Sequence, residues 1–185
     1  FSSANMYRGS RNVKFGIVRY GNVLNSRGSV IPNFLNQLTK SNKVFITDKR
    51  MTRFTMTLDE SVELVVYALK NLVGGETVIP KIPSYKILDL ANAVKKNSKI
   101  VFTGLRPGEK YHEELVTSSE SYRAVHNQKK IILIPDFIKK NIIKKRYSAK
   151  DYPSGKAYSS DKNKFINSIE LRKILIYKKI VNEKN

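Results

Sequence analysis

The chain has 185 residues, 41% of them hydrophobic, enough for one globular domain with a real core or for a large piece of a bigger protein. Its 35 Lys and Arg against 15 Asp and Glu give a net charge of +20, and the lack of cysteine excludes disulfides, thiolate catalysis and cysteine-based zinc sites. Two histidines, His112 and His126, are too few for a histidine-rich metal centre, and no apolar run nears the roughly 20 residues that a membrane-spanning helix needs.

The opening stretch FSSANMYRGSRNVKFG has no long apolar core of the signal-peptide kind, so the chain reads as cytoplasmic. It begins with Phe1, and the true amino terminus is expected to lie upstream. FGIVRYGNV (15–23) is short, β-branched and aromatic, and ends in Gly-Asn, which predicts a buried parallel strand running into a loop. Loops at the carboxyl ends of such strands are where α/β sheets bind ligands. VIPNFLNQLTK carries Phe34, Leu35 and Leu38 at helical spacing, with Pro32 acceptable in the first turn. KVFITD (43–48) and RFTMT (53–57) read as strands.

Thr57-Leu-Asp-Glu60 has the spacing of a capping box, predicting a helix from about residue 58 to Leu72 that stops at Gly74-Gly75. ETVIPKIPS reads as strand and turn. Ser84 is placed to cap a helix whose apolar positions are Ile87, Leu88, Leu90, Ala91 and Val94. KIVFTG (99–104) is a further strand, leading into GLRPGEKYHEEL, and the pattern weakens from about residue 135 until SIELRKILIYKKI (168–180) offers an amphipathic helix. Alternating strands and helices give an α/β fold class with a crossover-linked sheet.

A charge of +20 raises the question of a nucleic-acid partner. The densest basic stretch, residues 129–150, holds eight basic residues against one acid. Its lysines come as separated doublets between Ile-rich runs, which favours solvated edges of short elements over a DNA-reading helix, and no nucleic-acid partner is assigned.

Arg53 and Arg106 each stand where an extended segment meets a loop, and guanidinium groups suit bidentate contact with phosphate oxygens. With the Asn22 amide they make a candidate diphosphate-binding set. In RPGEK the Pro107-Gly108 turn fixes the separation of Arg106 and Glu109, and the Glu109 carboxylate suits paired hydroxyls such as those of a ribose. His112 lies in an expected helical start with Glu113 and Glu114 and is read as a surface residue rather than a catalytic base. Two Tyr-x-x-x-Lys matches, Tyr152/Lys156 and Tyr158/Lys162, are decoys, because that pair needs one helix and YPSGK and YSSDK do not offer it.

Taken in order and spacing, RYGNVLNSRGSVIPNF, ITDKRMTRFTMTLDE, GGETVIPKIPS, GLRPGEKYHEEL and AYSSDKN resemble the carboxyl-terminal half of the inverting UDP-N-acetylglucosamine 4,6-dehydratases of the pseudaminic acid type. These are NADP-dependent extended short-chain dehydrogenase/reductases. The resemblance covers residues 14–125 densely and returns at 157–175; Pro107 counts toward the pseudaminate branch over the capsular relatives. It implies the carboxyl-terminal part of an NAD(P)-binding Rossmann fold, in residues 1–24 and 58–84, with a smaller sugar-nucleotide lobe in 25–57 and 85–185.

The resemblance also implies roles. Asn22 would touch the UDP diphosphate, Tyr20 and Val23 would line the nicotinamide side of the NADP cleft, and Val30, Ile31 and Pro32 would border the uridine. Arg53 and Arg106 would bind phosphate, and Glu109 the ribose. UDP-N-acetylglucosamine is the implied substrate, and the full-length protein is expected to be a homo-oligomer. No catalytic residue is assigned: the Gly-rich turn, the Asp-Lys pair and the Tyr-x-x-x-Lys of such enzymes are expected upstream of Phe1. The piece alone is therefore expected to be inactive and, with a sheet edge unpaired, poorly soluble. A stand-alone descendant that keeps the fold for assembly and a basic nucleic-acid module are the alternatives.

Overall fold

The computed structural model describes residues 2–182. Two short strands, β1 (Ile17–Val18) and β2 (Asn22–Val23), precede helix α1 (Val30–Lys40). Strands β3 (Lys43–Ile46) and β4 (Thr52–Met56) lead into helix α2 (Leu58–Asn71). Next come β5 (Thr77–Pro80), β6 (Ser84–Lys86), helix α3 (Ile87–Val94) and β7 (Lys99–Phe102). Strands β8 (Glu114–Val116), β9 (Ala124–His126) and β10 (Lys130–Leu133) follow. Helix α4 (Lys140–Tyr147), strands β11 (Lys150–Asp151) and β12 (Tyr158–Ser159) and helix α5 (Ser168–Tyr177) complete the order.

These elements divide between two compact units. The first takes residues through Tyr20, Leu58–Lys81 and Glu114–Ser159; the second takes Gly21–Thr57, Ile82–Glu113 and residues from Ser160 on. Residues 114–159 group with the first unit. The cause is strand pairing: β10 lies antiparallel on β5, with Ile131 opposite Ile79 and Ile132 opposite Val78.

In the first unit the sheet order is β1-β5-β10-β9-β11, with β1 parallel to β5 and the remaining pairs antiparallel. Its core gathers Leu64 and Ala68 of α2, Val78, Val125 and Ile132 of the strands, and Ile143 and Tyr147 of α4. Helix α2 carries Asp59 and Glu60 in its first turn and Lys70 in its last, as the helix dipole favours. Arg146 holds the other end, donating to the carbonyls of Lys70 and Asn71, which have no partner within the helix. The opposite face of α2 shows Leu58 and Leu69, 64% and 72% exposed, with Val62 between them.

After α2 the chain turns through Gly74 and Gly75, both at positive φ, and a Cβ on Gly75 would stand 2.5 Å from the Phe137 ring. Glu76 follows, fully buried, and its carboxylate accepts from the amides of Val73 at 2.6 Å and Gly74 at 2.7 Å and from the Tyr147 hydroxyl at 2.8 Å. Burial and the neighbouring Glu76 push the Tyr147 phenol up, so it stays a donor.

In the second unit, β2, β4 and β6 form one sheet and β3 and β7 a parallel pair. The core gathers Ile31 and Phe34 of α1, Val44 and Ile46 of β3, Leu90 and Val94 of α3, and Leu171 and Leu175 of α5. Helix α5 starts at a complete capping box: the Asn167 side chain accepts from the amides of Ile169 and Glu170, and Glu170 accepts from the Asn167 amide.

Three sequence expectations change. FGIVRYGNV is two strands broken at Arg19–Gly21, since β1 pairs with β5 and β2 with β4. Ser84 is fully buried inside β6, opposite Phe54, so α3 begins at Ile87 after Lys86 with no side-chain cap. Residues 112–114 do not open a helix, because Glu114 starts β8, which pairs with β12.

Candidate functional site

Strand β4 positions the centre of the site, which lies in the second unit. Asn22 on β2 stands opposite Thr55, and Arg53 stands opposite Tyr85 of β6. The close approach of β2 rests on Gly21, where a Cβ would fall 2.4 Å from Phe54 Cβ. Phe54 is fully buried and has no room to yield.

The Arg53 side chain is only 14% exposed, and one of its terminal nitrogens donates to the carbonyls of Thr52 at 2.8 Å and Tyr111 at 3.0 Å. Its Nε lies 3.4 Å from the Glu113 carboxylate. Oriented with its amide nitrogen toward the same carboxylate, Asn22 donates to both Glu113 oxygens at 3.0 and 3.1 Å. Asn22 and Arg53, paired by sequence as phosphate contacts, thus meet at a third residue that the sequence reading left out. Burial raises the pKa of Glu113, while Arg53 and a Phe54 backbone hydrogen bond pull it down.

A hydroxyl relay lies beside this cluster. Thr52 Oγ1 bonds His112 Nδ1 at 2.8 Å and Ser160 Oγ at 2.7 Å. Ser160 Oγ accepts from the Glu113 amide at 2.9 Å, and the Ser160 amide donates to the Glu113 carbonyl at 2.8 Å. His112 is therefore half-buried and tied into a network, not the surface residue the sequence suggested.

The RPGE turn has its own closure. The Glu109 amide donates to the Arg106 carbonyl at 3.0 Å, and Gly108 takes the positive φ, 79°, that a Pro-Gly turn of this kind requires. The Glu109 carboxylate accepts from the Arg106 amide at 3.3 Å and from Thr47 Oγ1 at 3.2 Å. Arg106 stands exposed on this turn, and its guanidinium has no partner among the described residues. Arg53 and Arg106 are thus differently prepared: the first is locked in place, the second free to swing.

Of the expected uridine-lining segment, Ile31 is 1% exposed and belongs to the core, with Val30 packed against it. The Ile31 side chain thus faces the core. Pro32 in the first turn of α1 is half-buried. Val23, on β2 opposite Met56, is also half-buried. Tyr20 is 40% exposed and ends the first segment of the first unit.

Glu113 was missed because its signal is weak in sequence. Acidic residues in the run HEEL read as a helix start, whereas the apolar Leu115-Val116 that follow make a buried strand. Ser160, in YSSD, has no role that its sequence motif alone reveals.

The family described as Polysaccharide biosynthesis protein matches residues 1–135. The chain belongs to this family. Over 173 residues it is 39% identical to a UDP-N-acetylglucosamine 4,6-dehydratase (inverting) from Campylobacter jejuni, covering 88% of the chain and 51% of that protein. Over 114 residues it is 45% identical to a UDP-glucose 4-epimerase from Rickettsia bellii, covering 60% of the chain and 33% of the relative. The X-ray structure of Pen from Bacillus thuringiensis matches with a TM-score of 0.84 and 38% identity, over 97% of this chain and 55% of that one. The chain spans about half the length of the curated relatives it matches that are dehydratases. Its fold class is the α/β one expected, with the parallel β1/β5, β2/β4 and β3/β7 pairs.

Proposed function

We propose that the chain is the carboxyl-terminal, UDP-sugar-binding part of a UDP-N-acetylglucosamine 4,6-dehydratase (inverting) that makes a 4-keto-6-deoxy sugar nucleotide for surface glycans of the pseudaminic acid type. The observation that carries this is the Asn22–Arg53–Glu113 cluster, an arginine near the start of β4 held rigid by two backbone carbonyls and brought to Asn22 by the parallel β2/β4 pair. Similarity to the dehydratase over nearly the whole chain supports the substrate class.

In this reading Arg53 is prepaid: its guanidinium loses little freedom when a diphosphate arrives, because Thr52 and Tyr111 already orient it. Asn22 turns from Glu113 to the diphosphate. Arg106 closes from its exposed turn, and Glu109 exchanges its in-turn donors for the ribose hydroxyls. The Val30–Ile31–Pro32 segment borders the uridine. NADP is the proposed cofactor, and it supplies hydride exchange with the sugar when bound. This chain has no Gly-rich turn to cradle the dinucleotide phosphates, so its own contribution is limited to Tyr20 and Val23 at the nicotinamide end. The protein is proposed to work in the cytoplasm, as a homo-oligomer at full length.

The test has two arms. UDP titrated into the chain by calorimetry binds, and Arg53→Ala weakens it on the order of tenfold or more, as loss of a charged hydrogen bond should. Supplied with NADP and UDP-N-acetylglucosamine, the chain alone forms no 4-keto sugar, whereas fusion to the amino-terminal half of the Campylobacter jejuni relative restores product. Absence of UDP binding in both chain and fusion, with tight single-stranded nucleic-acid binding at physiological salt, would overturn the reading.

A further inference from the structure

The first unit holds a second feature of chemical interest, a recess of about 690 Å³ walled by Tyr67 of α2, Lys81 after β5, the β9–β10 turn from His126 to Lys130, and Tyr147 to Lys150. Lys81, Lys129, Lys130 and Lys150 line it, and no carboxylate does. Such convergence of like charge is costly unless something outside the chain balances it.

The geometry of Lys81 is fixed. Its ammonium donates to His126 Nδ1 at 2.7 Å and to the Asn127 carbonyl at 2.6 Å, leaving a third N–H with no partner among the described residues. Donation to Nδ1 requires His126 to be neutral with its proton on Nε2. His126 packs edge-on against Tyr152 at 5.5 Å. Lys130 stands over the Tyr67 ring at 3.8 Å. The nearest acids are engaged or outlying: Asp151 is held by Lys140 and Lys144, and Glu63 acts on Lys130 from α2.

Burial, then Lys150, lowers the pKa of Lys81, and burial, Lys81 and Lys150 lower that of His126. Burial is the larger cause of both shifts and the neighbouring cations add to it, and a bound anion would oppose them.

We propose that this recess binds a multiply charged phosphate anion, free or carried on a small ester. Lysine ammonium groups are point-charge phosphate ligands, and four of them around one concavity match a diphosphate better than a single carboxylate. A nucleic-acid strand is the weaker fit. It needs aromatic platforms, whereas Tyr147 is buried and Lys130 covers the Tyr67 face. This site is separate in residues from the UDP reading above, so the two succeed or fail independently.

The chain's two histidines make the test direct, since the ring protons of His112 and His126 are resolved by proton NMR and assigned with His112→Asn. Titrating inorganic pyrophosphate, and in a second arm glycerol 3-phosphate, at constant ionic strength is expected to raise the His126 titration midpoint saturably. A response to pyrophosphate alone assigns a diphosphate, and a response to both assigns a phosphate group in general. Lys150→Glu, at an exposed position, and Lys81→Met are each expected to weaken the response on the order of tenfold. The proposal is overturned if His126 does not move, if sodium chloride moves it equally, if both variants respond like the parent, or if an oligonucleotide binds the recess and pyrophosphate does not displace it.

Discussion

Positive charge is handled in opposite ways in the two compact units. In the second, Arg53 is locked by two carbonyls and faces the Glu113 carboxylate, which Asn22 also reaches. In the first, four lysines surround a recess that contains no carboxylate. The same lysine-rich composition serves both, so a net charge of +20 reports how much charge is unbalanced and not where. What separates the two places is whether a cation has a partner inside the chain, and each can be probed by removing one side chain.

The largest effect is expected where the first arrangement depends on backbone approach. Gly21→Ala places a Cβ 2.4 Å from Phe54 Cβ and 3.3 Å from the Phe54 backbone carbon. Phe54 is fully buried, so β2 must move off β4 and take Asn22 away from Glu113. A loss of about 1–3 kcal/mol in urea denaturation is expected. An unchanged midpoint would show that β2 is not held against β4.

Arg53→Met probes the charge itself. It leaves Glu113 half-buried without its cation, at an expected cost of about 1–3 kcal/mol. Burial already raises the Glu113 pKa and Arg53 opposes it, so in the variant the carboxyl moves further up. A folded-state pKa above the unfolded one stabilises at low pH and loses that contribution as pH rises through the folded value. Arg53→Met is therefore expected to lose more stability than the parent as pH rises from the ordinary glutamate range toward neutrality. Melts at several pH values check this, and parallel curves for the two proteins would refute it.

How much of this was legible in the sequence follows from the range of the forces involved. Local signals placed α1, α2, α5 and the strands β3, β4, β5 and β7, because apolar period and end residues act within a few positions. Arg53 and Asn22 were legible as candidate phosphate contacts from their residue types, although Arg53 lies near the start of β4 and Asn22 opens β2. Glu113 was not, since its role comes from strand β4 lying alongside residue 111, as the Thr52 amide to Tyr111 carbonyl bond shows. Ser160 reaches Thr52 across 108 residues, a separation that no window contains. The recess was hidden for a similar reason. Lys81 and Lys150 are distant in sequence, and only the β9–β10 hairpin, folded back on β5, brings them to one cavity.

Compensated cations also occur in the first unit, and Arg19 serves as an internal control. Arg19 makes two 2.9 Å bonds to Glu120 and a third, at 3.0 Å, to the Leu115 carbonyl. The Arg19 hydrogen bond is the main cause pulling the Glu120 pKa down, from 4.5 to about 2. A depressed carboxylate contributes stability above its unfolded pKa and loses it as pH falls through the folded one. The parent is thus expected to melt progressively lower as pH drops from about 4.5 to about 2, and Glu120→Gln to show a flatter profile from a lower starting stability. Equal slopes would mean that Arg19 and Glu120 are not coupled in solution.

The smallest effect carries the sharpest sign. Lys150 is exposed, yet its charge depresses the pKa of both Lys81 and His126, a pair that also repel each other once His126 is protonated. Lys150→Met removes a repulsion without breaking a hydrogen bond, so it is expected to raise stability slightly, within the roughly 0.5 kcal/mol typical of surface changes. It also moves the His126 midpoint up, which NMR reads directly. Removing Arg53 would then destabilise the second unit, and removing Lys150 would stabilise the first. Arg53 faces a carboxylate whereas Lys150 acts on Lys81 and His126, so a loss of stability in Lys150→Met would show that Lys150 does not stand among uncompensated cations.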